Sequence, residues 1–207
     1  MRRFIVVGQK AKASGDFLLA DIPSTSGRLD VLLRALRASL LVSHGVRRDC
    51  TTYLALLGEP ERARVIRLSG AAARYLRPDE RSLATTIKKA LAFPVKGATF
   101  SAARPGIDVA CGGIEVLGPE LTNCQLYLLE ASGPDIRSCP QLEPADRDCA
   151  FILGDHLGLT PEVRAYFSEL GAQPLSVGPT ELYTEDAIAV LTNELDRRST
   201  QVTEKLA

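Results

Sequence analysis

The last third of the chain alternates short apolar runs with longer helical segments, and this order constrains the fold more than any other feature. The apolar runs are Gln125–Glu130, Cys149–Leu153 and Pro174–Val177, each long enough for a buried strand and too short for a helix. Helices are predicted over residues 160–170 and 185–198. Alternating strands and helices predict an α/β fold, with a mostly parallel sheet flanked by helices on both faces.

The first half of the chain adds elements of both kinds. Leucines from Leu29 to Leu41 recur at helical spacing behind Ser26, which we expect to cap that helix. Strands are predicted over Phe4–Val7, Thr51–Leu57 and Arg64–Leu68, the last two joined through Gly58-Glu59-Pro60, and a helix over Pro78–Ala92. Residues 10–22 read as a polar loop, and residues 93–124 as the least regular stretch. We expect one domain from the 207 residues.

Charge is divided unequally between the two halves, although the net charge is zero. Residues 1–104 contain 19 lysines and arginines against 8 acidic residues, whereas residues 105–207 contain 6 against 17. Arginine outnumbers lysine by 19 to 6, and guanidinium forks bind phosphate through paired hydrogen bonds. The basic half therefore indicates contact with a polyanion such as RNA. The alternative is that the two halves attract each other, within one chain or across a dimer.

Several classes of protein are disfavoured by what the sequence lacks. No apolar run approaches the roughly 18 residues of a spanning helix, so we expect no membrane segment. The start, residues 1–8, has an apolar run too short for a secretory signal, which predicts a cytoplasmic location. The five cysteines are widely spaced, and His44 and His156 are the only histidines. We therefore expect no metal site and no redox pair.

The common nucleotide and nucleophile motifs are also missing, which leaves a crevice as the candidate site. No phosphate-binding P-loop, GxGxxG fingerprint or GxSxG elbow occurs. Three loops leave the carboxyl ends of predicted parallel strands: Leu129–Gly133, Gly154–Gly158 and Val177–Leu182. Open α/β sheets bind ligands outside such ends. Their glycines either let a ligand approach the backbone or serve only as turn residues.

Several motifs, taken in order along the chain, resemble the TrmY family, methyltransferases of the SPOUT superfamily that modify pseudouridine in tRNA. They are Gly27–Asp30, Ser43–Asp49, Pro78–Arg81 with Ile87–Leu91, Pro105–Ile107, and in the last third Phe151–Gly158, Leu175–Pro179 and Asn193–Arg197. The resemblance covers nearly the whole chain. It implies a SPOUT fold of a single domain, with a deep trefoil knot formed by residues 125–207, and N1-methylation of pseudouridine at position 54 in the tRNA T-loop.

The resemblance also implies the cofactor and the assembly. The methyl donor is S-adenosylmethionine, bound by the knot loops of a homodimer. Carried over by position, the cofactor-binding residues are Leu129, Gly154, Leu175, Ser176, Val177, Gly178, Pro179, Leu182 and Ala187. In the family the final helix begins at a His-Cys pair; this chain has Asp186-Ala187 there, so any role of that thiol is lost.

The proposed reaction needs a base and an RNA-binding surface. The base must lie within hydrogen-bond reach of the N1 proton, and Asp30 and Asp49, each beside arginines, are the candidates. The alternative is that each aspartate serves only as an ion-pair partner, Asp30 of Arg28 and Asp49 of Arg48. Arg28, Arg47 and Arg48 are predicted to bind RNA.

Two other functions remain open at this point. One is a SPOUT methyltransferase that acts on another RNA position, such as one in ribosomal RNA. The other is an RNA-binding relative that has lost methyl transfer, which the replaced His-Cys pair favours. Cofactor binding separates the second from the enzyme readings, because a protein without methyl transfer has no need to retain it.

Overall fold

The computed structural model describes residues 1–59, 62–139, 142 and 148–206. The strands are β1 (Arg2–Lys12), β2 (Leu41–Val42), β3 (Gly45–Val46), β4 (Cys50–Gly58), β5 (Arg64–Ser69), β6 (Ser101–Arg104), β7 (Ile107–Cys111), β8 (Gln125–Leu129), β9 (Cys149–Gly154) and β10 (Gln173–Leu175). The helices are α1 (Ile22–Thr25), α2 (Leu29–Leu40), α3 (Glu80–Leu91), α4 (Gly118–Leu121), α5 (Pro161–Glu169) and α6 (Thr184–Leu206). Pro60, part of the predicted hairpin turn, lies outside the described residues.

Eight of these strands form one sheet in the order β10-β8-β9-β1-β4-β5-β7-β6. The pairings from β10 to β4 are parallel, and those from β4 to β6 are antiparallel. The α/β class with a mostly parallel sheet is therefore confirmed, with an antiparallel extension on one side. The trefoil knot implied by the family resemblance stays a prediction.

The central strand β1 is buried on both faces because its side chains alternate between two cores. Phe4 and Val6 belong to the core beneath α2, α3 and α6, whereas Ile5 and Val7 belong to the core beneath α4 and α5. In register, Arg2 lies opposite both Cys50 of β4 and Cys149 of β9. The parallel strands therefore begin at one edge of the sheet and end at the other, which gives the sheet distinct amino and carboxyl edges.

Most predicted elements are present, but two expectations about irregular segments were wrong. Residues 93–124 contain β6 and β7, which pair around Pro105-Gly106, with Gly106 at a φ of +72°. β6 is short and has polar ends, and in β7 Asp108 interrupts the apolar residues, so neither strand gives a compact apolar run. β1 also continues into the predicted polar loop, and Lys12 pairs with Gly58. None of the helices in the described part of the chain combines the length and apolar character needed to cross a bilayer.

Candidate functional site

The carboxyl ends of three neighbouring parallel strands open onto a cleft of about 890 Å³. β8, β9 and β10 end there at Leu129, Gly154 and Leu175. The start of α2 and the first turn of α6 also line the cleft. The sequence predicted a crevice at this edge, from the three loops that follow the predicted strands. The volume of the cleft is in the range of small-molecule sites.

Eight of the nine residues predicted to bind the cofactor line this cleft. They are Leu129, Gly154, Leu175, Ser176, Val177, Gly178, Leu182 and Ala187. Pro179 belongs to the same loop, between Gly178 and Thr180, but is not a lining residue. Residues that are far apart in the sequence therefore converge because their strands end side by side.

The loop after β9 is held in one shape by close backbone packing and by one buried carboxylate. A Cβ atom on Gly154 would lie 2.2 Å from the carbonyl carbon of Gly158, so only glycine fits at residue 154. Asp155 is 6% exposed, and its two oxygens accept hydrogen bonds from the backbone amides of Gln9 at 3.0 Å and Leu157 at 2.9 Å. The loop is therefore preformed, and Asp155 is committed to ordering it.

Polar groups on the cleft wall are left for a ligand to satisfy. Among the described residues, the backbone amides of Val177 and Leu182 donate to no protein acceptor, and Glu185 Oε2 is buried without a hydrogen-bond partner. Buried polar groups normally have partners. Free amides suit the edge of an adenine, a carboxylate oxygen suits an amino or hydroxyl donor, and the side chain of Leu129 offers apolar contact. These residues fit S-adenosylmethionine.

A network of charged side chains lies at the amino end of α2. Arg28 donates to both oxygens of Asp30, from Nε to Oδ1 at 2.9 Å and from Nη2 to Oδ2 at 3.0 Å. Arg34 donates from Nη1 to Asp30 Oδ2 at 2.9 Å and from Nε to Glu185 Oε1 at 2.7 Å. We call these four residues the arginine network. It holds two guanidinium groups on the wall of the cleft.

Arg28 has an unusual backbone conformation in this network. It precedes α2 in the left-handed region, with φ 67° and ψ 34°. For a side-chain-bearing residue this conformation costs of the order of 1 kcal/mol and tends to occur at functional sites. Ser26 stabilises the same turn, because its Oγ accepts a hydrogen bond from the Leu29 amide at 3.0 Å. The N-cap residue of α2 is Arg28 and not Ser26 as predicted, because Ser26 ends the preceding short helix and reaches only the first amide of α2 with its hydroxyl.

The surroundings of Asp30 favour a carboxylate that remains ionised. Asp30 is only 2% exposed, and burial opposes its ionisation, but the hydrogen bonds from Arg28 and Arg34 outweigh this effect and hold the pKa of the carboxyl below its usual range. A carboxylate with a lowered pKa is a weak proton acceptor. The geometry suits Asp30 to positioning the two arginines.

Sequence reasoning did not identify Arg34 and Glu185 as members of the site. Arg34 lies four residues after Asp30 on the same helix, a spacing that places the two side chains side by side and would have found it. Glu185 had no such signal, because its partner Arg34 is distant in the sequence and the two meet only through the packing of α6 against α2.

Asp49, the second candidate base, does not lie at the cleft of its own chain. It precedes β4 at the amino edge of the sheet, with its side chain 56% exposed and 3.4 Å from Arg2 Nε. The cleft lies at the carboxyl edge. Sequence reasoning placed Asp30 and Asp49 together because both adjoin arginines, but strand direction separates them.

The two other predicted RNA-binding arginines also lie at the amino edge. Arg47 is half-buried and donates two hydrogen bonds to Asp196, at 3.0 and 2.8 Å. Arg48 is exposed, and its Nη1 donates to the carbonyl oxygen of Ala71 at 2.7 Å. Of the three predicted RNA-binding residues, only Arg28 therefore lines the cleft of its own chain.

Part of the charge division between the two halves is neutralised within the chain. Ion pairs join basic residues of the first half to acidic residues of the second: Arg2 and Arg47 to Asp196, Arg3 to Asp148, Arg34 to Glu185, and Arg67 to Asp108 and Glu120. Attraction between the halves, one of the two explanations drawn from the sequence, thus operates in the folded chain. Within the described residues, exposed arginines that form no ion pair, such as Arg74 and Arg104, remain available to an anionic partner.

The surroundings of Cys50 disfavour its reactive thiolate form. Burial, followed by the charge of Asp49, raises the pKa of the Cys50 thiol to about 12, which keeps it protonated. Across residues 1–59, 62–139, 142 and 148–206, no three or more histidine, cysteine or acidic side chains are grouped as metal ligands.

Replacing Asp30 by asparagine should lower stability at neutral pH more than replacing Asp49 by asparagine. The folded-state pKa of Asp30 lies below its unfolded value, so its contribution is complete above roughly pH 5 and is lost as the pH falls through the unfolded and then the folded-state pKa. At pH 7 we expect D30N to cost about 1–3 kcal/mol, because charge-assisted hydrogen bonds weaken. The exposed D49N control should change the free energy of unfolding by less than about 0.5 kcal/mol.

Urea unfolding at pH 7 and pH 3 measures both variants. The difference between D30N and wild type should shrink at pH 3, because the Asp30 carboxyl of the unfolded wild-type chain is then largely protonated. A D30N penalty that is equal at both pH values would contradict this account of Asp30.

Comparisons with known proteins agree with this geometry. A family model described as an SAM-dependent RNA methyltransferase, SAM being S-adenosylmethionine, matches residues 1–200. A protein of Methanosarcina acetivorans named tRNA (pseudouridine(54)-N(1))-methyltransferase is 43% identical over 197 residues, covering 95% of this chain and 92% of its own. A protein of the same name from Pyrococcus abyssi is 35% identical over 204 residues, covering 95% and 98%.

A solved structure has a similar fold. Archaeoglobus fulgidus Nep1, crystallised with S-adenosylhomocysteine, superimposes with a TM-score of 0.64 over 96% of this chain and 98% of its own. Sequence identity is only 16%, so the likeness concerns the fold alone.

Proposed function

Because this chain belongs to the family of SAM-dependent RNA methyltransferases, we propose that it methylates N1 of pseudouridine at position 54 in the T-loop of tRNA. The observation that carries the proposal is the cleft at the carboxyl edge, where eight predicted cofactor-binding residues converge beside two guanidinium groups. Relatives at 43% and 35% identity that carry this activity in their names support it.

In this proposal the walls of the cleft hold the cofactor. When bound, S-adenosylmethionine supplies a methyl group on a sulfonium, which makes the methyl carbon electrophilic. The amides of Val177 and Leu182 would bind its polar edge, Leu129 and Ala187 would pack against its apolar parts, and Glu185 Oε2 would accept a hydrogen bond from one of its donors. The preformed loop from Gly154 to Gly158 would limit reorganisation on binding.

The arginine network would act on the uracil ring. Pseudouridine is joined to its sugar through carbon, so its N1 carries a proton that must leave before or as the methyl group arrives. Loss of that proton places negative charge on the ring, and Arg28 and Arg34 are preorganised to stabilise it. Asp30 either positions these two arginines or accepts the proton itself, and the pH profile of D30N separates these roles.

The target base must leave its stack before it reaches the cleft, as in other enzymes that act on bases. We further propose that the protein is a homodimer in the cytoplasm, in which Arg47, Arg48 and Asp49 of one protomer face RNA bound at its partner's cleft. The basis is that these residues lie at the edge opposite the cleft of their own chain. Light scattering should report a dimer, and a monomer would contradict this arrangement.

A second candidate is an RNA-binding relative without methyl transfer. Ala187 lines the cleft at the position where the TrmY family has cysteine, so the thiol is missing from this wall. Alanine is still able to pack against an adenine ring, which favours retained binding. A methyltransferase that acts on ribosomal RNA would differ from the proposed tRNA methyltransferase only in the RNA that accepts the methyl group.

Calorimetric titration with S-adenosylmethionine tests the cofactor assignment first. We expect micromolar affinity at one site per chain, and no detectable binding would favour the RNA-binding reading. Transfer of a labelled methyl group is then measured with tRNA transcripts that carry pseudouridine or uridine at position 54, and with ribosomal RNA. Uridine is the matched control, because its N1 is already bonded to the sugar. Labelling of ribosomal RNA alone would reassign the substrate.

A further inference from the structure

The loop between β5 and α3 presents an aromatic ring that packs against almost nothing. Tyr75 is 95% exposed and has a φ of 60°, in the left-handed region. It lies between Arg74 and Arg77, both of which are exposed. An exposed tyrosine in a strained backbone conformation is unusual, because neither burial of the ring nor backbone preference explains it.

The exposure of Tyr75 is imposed by the residues on either side. The Ala73 amide donates to the carbonyl oxygen of Ser69 at 2.7 Å, and Ala73 is buried against the backbone of Gly106. Leu76 packs against the main core. With Ala73 and Leu76 both anchored, the loop turns Tyr75 outward and holds it there. The ring is thus presented to solvent on a fixed backbone.

Exposed arginines without a carboxylate partner lie in this loop and beside it. Within the described residues, Arg74 and Arg104 form no ion pair. Arg104 and Ala72 line the same shallow depression beside the loop, and Arg48 is held against the loop through the carbonyl oxygen of Ala71.

The two acids near the loop are already engaged. Asp79 accepts a hydrogen bond from the Ser82 amide at 2.8 Å, and Asp49 pairs with Arg2. This contrasts with Arg3 and Arg67, whose charges are balanced by acidic partners. Arg74 and Arg104 therefore keep their positive charges without a carboxylate partner, whereas Arg77 lies within electrostatic reach of Asp79.

We propose that Tyr75 is a stacking platform for an unpaired RNA base, with Arg48, Arg74, Arg77 and Arg104 binding the adjacent phosphates. We call these five residues the Tyr75 platform. Aromatic rings among basic side chains bind single-stranded nucleic acid in this way, since every base has a face to stack on. The inference rests on the proposed function for the nature of the ligand. It adds a contact at the amino edge, away from the cleft where the methyl group is transferred.

Fluorescence anisotropy with a labelled tRNA transcript containing pseudouridine at position 54 tests the platform. We expect Y75A to weaken RNA affinity by roughly 5-fold to 100-fold, the loss that follows removal of one stacked base contact. Y75F is the matched control and should stay within about 2-fold, because it keeps the ring face. Arg74→Ala should reduce the salt dependence of binding by about one phosphate contact, whereas Y75A should leave that slope unchanged.

A tryptophan at residue 75 gives an independent readout, because the chain contains no tryptophan. In Y75W, saturation with the tRNA should quench the fluorescence along the same binding curve as the anisotropy. L170W, at an exposed position on α5's carboxyl end in the acidic half, is the control and should not be quenched.

The outcomes separate this inference from the proposed function. If wild-type protein binds no tRNA, the proposed function fails. If wild type binds tRNA and Y75A binds equally well, the Tyr75 platform is overturned, and a protein partner becomes the better explanation of this surface. Equal losses in Y75A and Y75F would also overturn it, because the ring face would then not be the cause.

Discussion

Replacing Arg28 by glycine should reduce methyl transfer by about 100-fold or more, the size of effect seen when one preorganised donor to a developing anion is removed. Arg28 lines the cleft and donates two hydrogen bonds to Asp30. Glycine adopts its φ of 67° without strain, so the variant removes the guanidinium and leaves the turn intact. Single-turnover rates with saturating cofactor and tRNA measure the chemical step.

Two further variants control for this effect. Arg28→Lys keeps the charge but loses the fork that binds both Asp30 oxygens, and an intermediate rate is expected. Arg37→Gly, on the exposed side of the same helix, removes an arginine that does not line the cleft. At a temperature where this variant is fully folded, its methyl-transfer rate should stay close to that of the wild type. If R28G keeps more than about a third of the wild-type rate, the role assigned to the arginine network in stabilising the ring anion is wrong.

Replacing Gly154 by alanine should weaken cofactor binding and destabilise the protein. The added Cβ would lie 2.2 and 2.3 Å from the backbone carbonyl carbon and oxygen of Gly158, and backbone atoms cannot yield as a flexible side chain can. We expect the free energy of unfolding to fall by about 1–3 kcal/mol, as for overpacked sites. Affinity for S-adenosylmethionine should fall at least about 10-fold, because a shift in this loop moves the wall of the cleft.

Gly158→Ala is the matched control for this prediction. Gly158 has a φ of +74°, and its Cβ would meet nothing within 4 Å, so alanine there introduces backbone strain without a clash. We expect it to cost about 1 kcal/mol. Chemical denaturation and calorimetry measure both variants. A folded G154A protein that binds the cofactor with wild-type affinity would refute the assignment of this loop.

The elements that could be predicted from the sequence are those whose residues carry their own structural signal. Gln125–Leu129 and Cys149–Gly154 are compact apolar runs because both faces of these strands are buried. The Thr160 cap and the glycine after α5 are local signals that mark the ends of a helix. β6 and β7 gave a weaker signal, because β6 is a short edge strand with polar ends and Asp108 interrupts the apolar residues of β7.

The site was predictable to the extent that it depends on where strands end. The cofactor-binding positions followed from the family resemblance, and the crevice followed from the loops at the carboxyl edge. The pairing of Arg34 with Glu185 could not be predicted, because it depends on how α6 packs against α2. The sequence predicted the same role for Asp49 and Asp30 because both adjoin arginines along the chain. It does not show the direction in which each strand runs, and that direction places Asp49 at the opposite edge of the sheet.

The central place of β1 in the sheet has a consequence for synthesis on the ribosome. β1 leaves the exit tunnel long before β9, but its Arg2 pairs with Cys149 of that later strand. At elongation rates of roughly 5–20 residues per second, the β9 side of this apolar strand waits about 7–30 s for its partner. During that interval its open edge is able to pair with other nascent chains. Ribosomes that stall before residue 149 would therefore release a fragment prone to aggregation, and chaperones should engage the nascent chain early.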